Sequence, residues 1–197
     1  MASKYSFLIK KELRDFFRSY KCVLMVLFIT LFPIIWKFKG KVMPDVIYIA
    51  FFQMAQGQFI YDSFLNDTRE KGSLFFINMK IPFESQFLIK MLVAFSQVLV
   101  SVLVNFRDIA SLFSLIDILW IVPIIFQSSF LMFIGTIISG GAELSTALSV
   151  TVIIFAITFA VLLSPVILRI LISLGLLTLT YLISKKMFFS KIYRSQL

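Results

Sequence analysis

The sequence predicts an all-α polytopic membrane protein, with six transmembrane helices preceded by an N-terminal amphipathic interfacial helix. Three observations predict it. First, 60% of the 197 residues are hydrophobic and 15% are charged, at a mean hydropathy of +0.99, whereas soluble domains carry about 25% charged residues. Second, the apolar residues gather into runs near the ~20 residues that cross the hydrocarbon core. Third, the basic residues flank those runs instead of clustering on one folded face, so the formal charge of +9 does not point to nucleic acid.

Residues 1–20 form the interfacial element. Tyr5, Ile9, Leu13, Phe16 and Tyr20 recur at helical spacing and make one apolar stripe. Lys10, Lys11, Arg14 and Arg18 fall on the other side, the pattern of a helix lying in the membrane interface against anionic lipid heads. Glu12 projects close to the apolar stripe and requires a partner, either a neighbouring cation or one on another segment. The first long apolar run starts only near Cys22, with no small-residue cleavage site after it, so no cleaved signal is expected. Cys22 is the single cysteine, which excludes an internal disulfide framework.

Residues 21–185 form the six-helix domain. The runs are Cys22–Trp36, Val46–Leu65, Phe87–Val104, Leu112–Ile138 (interrupted by Asp117 and Pro123), Leu144–Leu163 and Val166–Ile183. Ser164 and Pro165 alone separate the last two. Arg169 favours a hairpin there, because a charge at mid-membrane costs several kcal/mol on most scales. Phenylalanine is abundant, at 24 residues, and within the spans it reads as ordinary lipid-facing material. Residues 186–197 are expected to form a cytoplasmic tail.

Orientation follows the positive-inside bias. With both termini in the cytoplasm, 14 of the 19 Lys and Arg residues lie inside, and Lys37, Lys39, Lys41, Arg107 and Arg169 lie outside.

The loop at 66–86 carries the most information. It opens with mixed charges, breaks at Gly72, and runs through Leu74, Phe75, Phe76 and Ile77 before Pro82 closes it. Ser73 can cap a helix of one or two turns. Successive apolar residues in a surface loop need something to pack against.

With these features in order, the chain resembles the permease subunits of ATP-binding-cassette (ABC) transporters of the type-2 class. The resemblance rests on Lys11-Glu12-Leu13 before the first span and on Arg69-Glu70-Lys71-Gly72-Ser73-Leu74 after the second, followed by Pro82 and Lys90. The six-span layout extends it over the whole chain. The chain departs from the family at Phe75, where an acidic residue often follows the motif's leucine. The resemblance implies a permease that pairs with a second copy, as a homodimer or heterodimer, on cytoplasmic ABC ATPase subunits that hold ATP and Mg. Residues Gly72–Ile77 would form the coupling helix, with Arg69, Glu70, Lys71, Ser73, Leu74, Phe75 and Ile77 at the ATPase contact. Lys11, Glu12 and Leu13 would pack beside it, with Glu12 facing Arg69 or Lys71. The implied activity is export across the plasma membrane.

The chain has no histidine, which removes His-dependent acid–base catalysis and HExxH zinc sites. The only Gly-Lys, at Gly40-Lys41, has Ile35 where a phosphate-cradling loop needs its first glycine. No catalytic residue, bound cofactor or metal site is therefore expected. Polar residues inside the spans each need a partner in lipid. Gln53, Gln56, Ser145, Ser149 and Thr158 serve either as helix–helix hydrogen-bonding groups or as a substrate path. The alternatives to a permease are a channel or assembly scaffold and a small membrane-embedded enzyme; the latter would need clustered aspartates or a Ser–His pair in the spans.

Overall fold

The computed structural model describes residues 2–38, 40, 43–69, 81–138, 144–188 and 190. The described residues form eight helices: α1 Ala2–Arg18, α2 Tyr20–Lys37, α3 Asp45–Arg69, α4 Phe83–Val104, α5 Phe106–Leu112, α6 Leu115–Ile138, α7 Leu144–Leu162 and α8 Val166–Met187. Local signals set most boundaries. Ser19 is extended between α1 and α2, and its hydroxyl accepts the Cys22 amide, an N-cap that ends one helix and starts the next. Pro82 and Pro165 stand extended immediately before α4 and α8, where proline's missing N–H is harmless. Before α6, Asp117 accepts the Ser114 amide at 2.9 Å and its hydroxyl at 2.7 Å, the side-chain-to-amide half of a capping box.

Four helices, α2, α4, α6 and α8, are long and apolar enough to cross a membrane, and Ser149–Leu162 of α7 is a shorter apolar stretch. This is the helix character of a membrane protein. Helix α3 has the length, at 25 residues, but carries Gln53, Gln56, Gln58 and Asp62. It tolerates them by lying inside the bundle, packed against α2, α4, α6 and α7, where Gln53 and Gln56 are buried. The span expected over Val46–Leu65 is thus the shielded, polar helix of the set.

Consecutive long helices run in opposite directions, and two buried clusters mark the two ends. The proximal cluster joins Phe16, Cys22, Phe59, Phe64, Phe83, Phe87, Phe130, Phe133 and Phe188. Phe87 stacks on Phe130 with ring centroids 4.2 Å apart, and Phe64 meets Phe133 at 4.4 Å. Five phenylalanines of the spans that read as lipid-facing, Phe59, Phe64, Phe87, Phe130 and Phe133, instead lie in this interior, where aromatic pairs add specific geometry to apolar burial. The distal cluster joins Tyr48, Phe52, Val98, Trp120, Ile124 and Val161. The start of α3 therefore meets the ends of α4 and α7 there.

The α7–α8 junction is a hairpin. Val161 packs in the cluster of Trp120, and Arg169 stands over the same indole at 5.4 Å. Arg169 also donates to the Leu162 carbonyl at 2.8 Å and the Ser164 carbonyl at 2.7 Å. These are oxygens that the end of α7 leaves without intrahelical partners. The short helix α5 was not anticipated; Asn105, at φ −101° and ψ 20°, ends α4 and redirects the chain into it. Lys37 holds α5 to α2 through Asp108 at 2.7 Å.

Candidate functional site: a buried ion network at the proximal end

Helix α1 has three faces, not two. Of the expected apolar stripe, Tyr5, Ile9 and Leu13 are exposed, as is Tyr20 at the start of α2, whereas Phe16 is buried; Lys10, Arg14 and Arg18 are exposed beyond it. The face turned to the bundle is Leu8, Lys11, Glu12, Asp15 and Phe16, spaced at i, i+3, i+4, i+7 and i+8. Leu8 packs with Ile81 and Ile89, at the foot of α4, and Phe16 meets Phe59 of α3 at 5.9 Å.

Between these two apolar contacts lie the charges. Lys90 of α4 has no exposed side-chain area, and neither has Glu12. The Lys90 Nζ lies 2.8 Å from Glu12 Oε1 and 2.7 Å from Asp67 Oδ2, and it also donates to the Ser63 hydroxyl. Ser63 in turn donates to Glu12 Oε2 at 2.6 Å. Lys11 lies 2.7 Å from Asp67 Oδ1, 3.0 Å from Asp15 and 3.2 Å from Glu12. The Phe64 ring lies under the Lys90 ammonium at 4.8 Å. Ser63 and Asp67 share a face of α3 because they are four residues apart.

Two ammonium groups and three carboxylates thus close a network in which each charge has at least one opposite partner. Such closure is what makes burial tolerable, since an unpaired buried ion costs several kcal/mol. Burial pushes the Glu12 carboxyl up, but the Lys90 and Lys11 charges and the hydrogen bonds from Lys90 and Ser63 outweigh it and hold it below the usual glutamate range. Burial pulls the Lys11 ammonium down, and Asp67 and Glu12 more than reverse it. Both groups are charged at neutral pH. Among the described residues no group of three His, Cys, Asp or Glu side chains could hold a metal ion.

Of the residues expected at an ATPase contact, Arg69 is the last residue of α3, with its side chain outside the described residues. Glu70, Lys71, Gly72, Ser73, Leu74, Phe75 and Ile77 lie outside the described residues altogether. Both flanks of that segment are fastened: Asp67 into the ion network, Ile81 onto Leu8. Lys11 and Glu12 are in the network, and Leu13 is exposed on the apolar stripe. Glu12's described partners are Lys90, Lys11 and Ser63; the side chains of Arg69 and Lys71 are outside the described residues.

The intramembrane polar residues divide. Gln53 and Thr158 are together, donating to one another at 2.8 and 3.0 Å, and Gln53 also reaches the Ile124 carbonyl. Gln56 turns to α4 and donates to the Met91 carbonyl at 3.3 Å. Ser149 is exposed, and the Ser145 side chain is outside the described residues. Gln97, fully inside α4's packed face, has no hydrogen-bond partner for either amide atom among the described residues, nor has Gln56 Oε1.

Sequence reasoning missed Ser63, Asp67 and Lys90 as a unit. The available signal was Lys90, a charge within the first turn of an apolar run, which needs a carboxylate if it is buried. No family model matches the chain, and no curated protein or solved structure matches it either.

Proposed function

We propose that this chain is the membrane-spanning permease subunit of an ATP-driven ABC-type exporter, crossing the membrane six times with both termini cytoplasmic. It works as a pair with a second permease, on cytoplasmic ATPase subunits that bind ATP and Mg. The observation that carries this reading is that α1 holds both flanks of the 70–80 segment, one through the ion network and one through an apolar contact. Asp67, at the end of α3, is held by Lys11 and Lys90, and Ile81, at the start of α4, is held by Leu8. A push on the segment between them reaches α1, α3 and α4 together. That is the mechanical requirement for passing a partner's motion into the spans, and a bare connector has no need of it.

The chain moves no electrons or protons in this role; it supplies packing and charge. Helix α3 is the shielded centre of the bundle, and its Gln53 pairs with Thr158 on α7. Movement of α3 relative to α7 would break that pair and expose polar groups along the path the substrate takes.

Co-expression with a candidate nucleotide-binding subunit tests the reading. The two chains should co-elute from detergent, and Gly72→Pro or Leu74→Asp should uncouple ATP hydrolysis from transport while membrane insertion persists. A permease that elutes alone, or unchanged transport in those variants, would refute it. A reporter at Gly40 should be accessible only from the non-cytoplasmic side.

A further inference from the structure

At the distal end, a cavity of about 420 Å³ opens between α4, α5 and the first half of α6. Its size falls within the ~300–1,000 Å³ of small-molecule sites, but its lining is of one kind. Phe95, Val98, Val102, Ile109, Ile121 and Ile125 make the wall, and Ser114 is the one polar side chain that touches it. The Ser114 hydroxyl is already donated to Asp117 at 2.7 Å. Water needs two to four polar partners to reside in a cavity, and Ser114 is the one polar side chain this wall offers.

The mouth opens on an exposed apolar surface. Leu99, Phe106, Leu115 and Ile118 line the cavity and are also exposed. Helix α5 sits over the mouth at the end of the bundle, where a lipid headgroup would lie. It carries two charges side by side. Asp108 is matched by Lys37 at 2.7 Å. Arg107 is exposed and, among the described residues, forms no ion pair. The site therefore combines an apolar cavity with an exposed cation, Arg107, next in the chain to the lining residue Phe106.

We infer that this cavity holds one acyl chain of an anionic phospholipid whose phosphate meets Arg107. Bilayer hydrocarbon is as apolar as the wall, so burial of the chain alone does not select an occupant. The charge at the lip selects, and a guanidinium presents forked donors suited to phosphate oxygens. The site lies at the opposite end from the ion network and requires no ATPase, so it stands or falls separately from the transport reading.

The test uses the full chain in nanodiscs of phosphatidylcholine, doped with phosphatidylglycerol that bears a photoreactive diazirine on its acyl chain. Labelled positions are mapped by peptide mass spectrometry. Labelling should concentrate on residues 95–125, and Ala110→Trp, which fills the mouth, should remove most of it. Arg107→Gln should lower labelling by the phosphatidylglycerol probe about fivefold, the worth of one basic residue at an anionic lipid surface. It should leave labelling by the matching phosphatidylcholine probe unchanged. Labelling spread evenly over the exposed helices would overturn the site. If Ala110→Trp fails to fold, Arg107→Gln decides alone, since its side chain is exposed; unchanged labelling by the phosphatidylglycerol probe would overturn the proposal.

Discussion

Lys90 and Glu12 are 78 residues apart in the chain and 2.8 Å apart in the fold, and neither exposes any side-chain surface. One comes from an apolar run and the other from the most polar helix of the protein. Their meeting fixes where α1 sits against the bundle, and Asp67 and Lys11 extend the same fastening to α3.

Lys90→Met leaves Glu12 and Asp67 sharing one remaining ammonium. Loss of one partner from a buried pair costs about 3–5 kcal/mol, and a marked drop in thermal midpoint in detergent is expected. The double variant Glu12→Gln/Lys90→Met keeps the charge balanced and should recover much of the loss. A double variant no more stable than the sum of the two singles would show that the pair is not coupled.

Acid should loosen α1. The Glu12 carboxyl is held below its ordinary value of 4.5, so its ionised form contributes stability above that pH, and the contribution disappears as pH falls through the lowered folded-state value. Midpoints measured from pH 7 downward should stay level to about pH 4.5 on this account and then decline. Glu12→Gln should flatten that decline while lowering the plateau. At the alkaline side the sign reverses: the raised Lys11 value gives stability that is full below 10.5 and lost as pH rises through the folded-state value.

Gly57 of α3 packs directly against Met132 of α6. A Cβ built there would lie 2.9 Å from Met132 Cγ. Gly57→Val should cost about 1–3 kcal/mol by overpacking, visible as a lower unfolding midpoint, and Met132→Ala should relieve it in the double variant. Gly57→Ala should cost less, because the methionine chain can shift. Equal losses for alanine and valine would place the strain elsewhere.

Arg169→Ala removes two donors from the end of α7 and the cation over Trp120, a loss of about 1–3 kcal/mol. Arg169→Lys should restore only part of it, since a lysine lacks the fork that reaches both carbonyls. Modification of a cysteine introduced at Ser164 reads the opening of the hairpin directly. Modification at the wild-type rate in Arg169→Ala would contradict the capping role.

The elements were largely legible because their signals are local. Pro82, Pro165 and Ser19 announce boundaries through backbone geometry, and an apolar run of the right length has few alternatives to a helix in lipid. The interior was less legible. A phenylalanine facing lipid and one in the proximal core look identical in the sequence, since both surroundings are apolar; Phe87 and Phe130 were told apart from Leu92 or Leu99 only by packing. The apolar stripe of α1 read as lying in the membrane interface, and Tyr5, Ile9 and Leu13 are exposed; the face that the bundle takes, with Leu8, Glu12 and Phe16, was not legible, because it depends on the partners that the ion network offers.

By itself, the sequence determined an all-helical chain with membrane-spanning segments, an amphipathic first helix and a charged connection after the third helix. It did so through hydropathy, period and proline placement, all properties of neighbours in the chain. The tertiary structure alone decided which helix is shielded, that α5 exists as a separate turn over an apolar slot, and that Lys90 belongs with Glu12, Ser63 and Asp67. Those depend on contacts across dozens of residues, and a buried charge states only that it needs a partner, never which one.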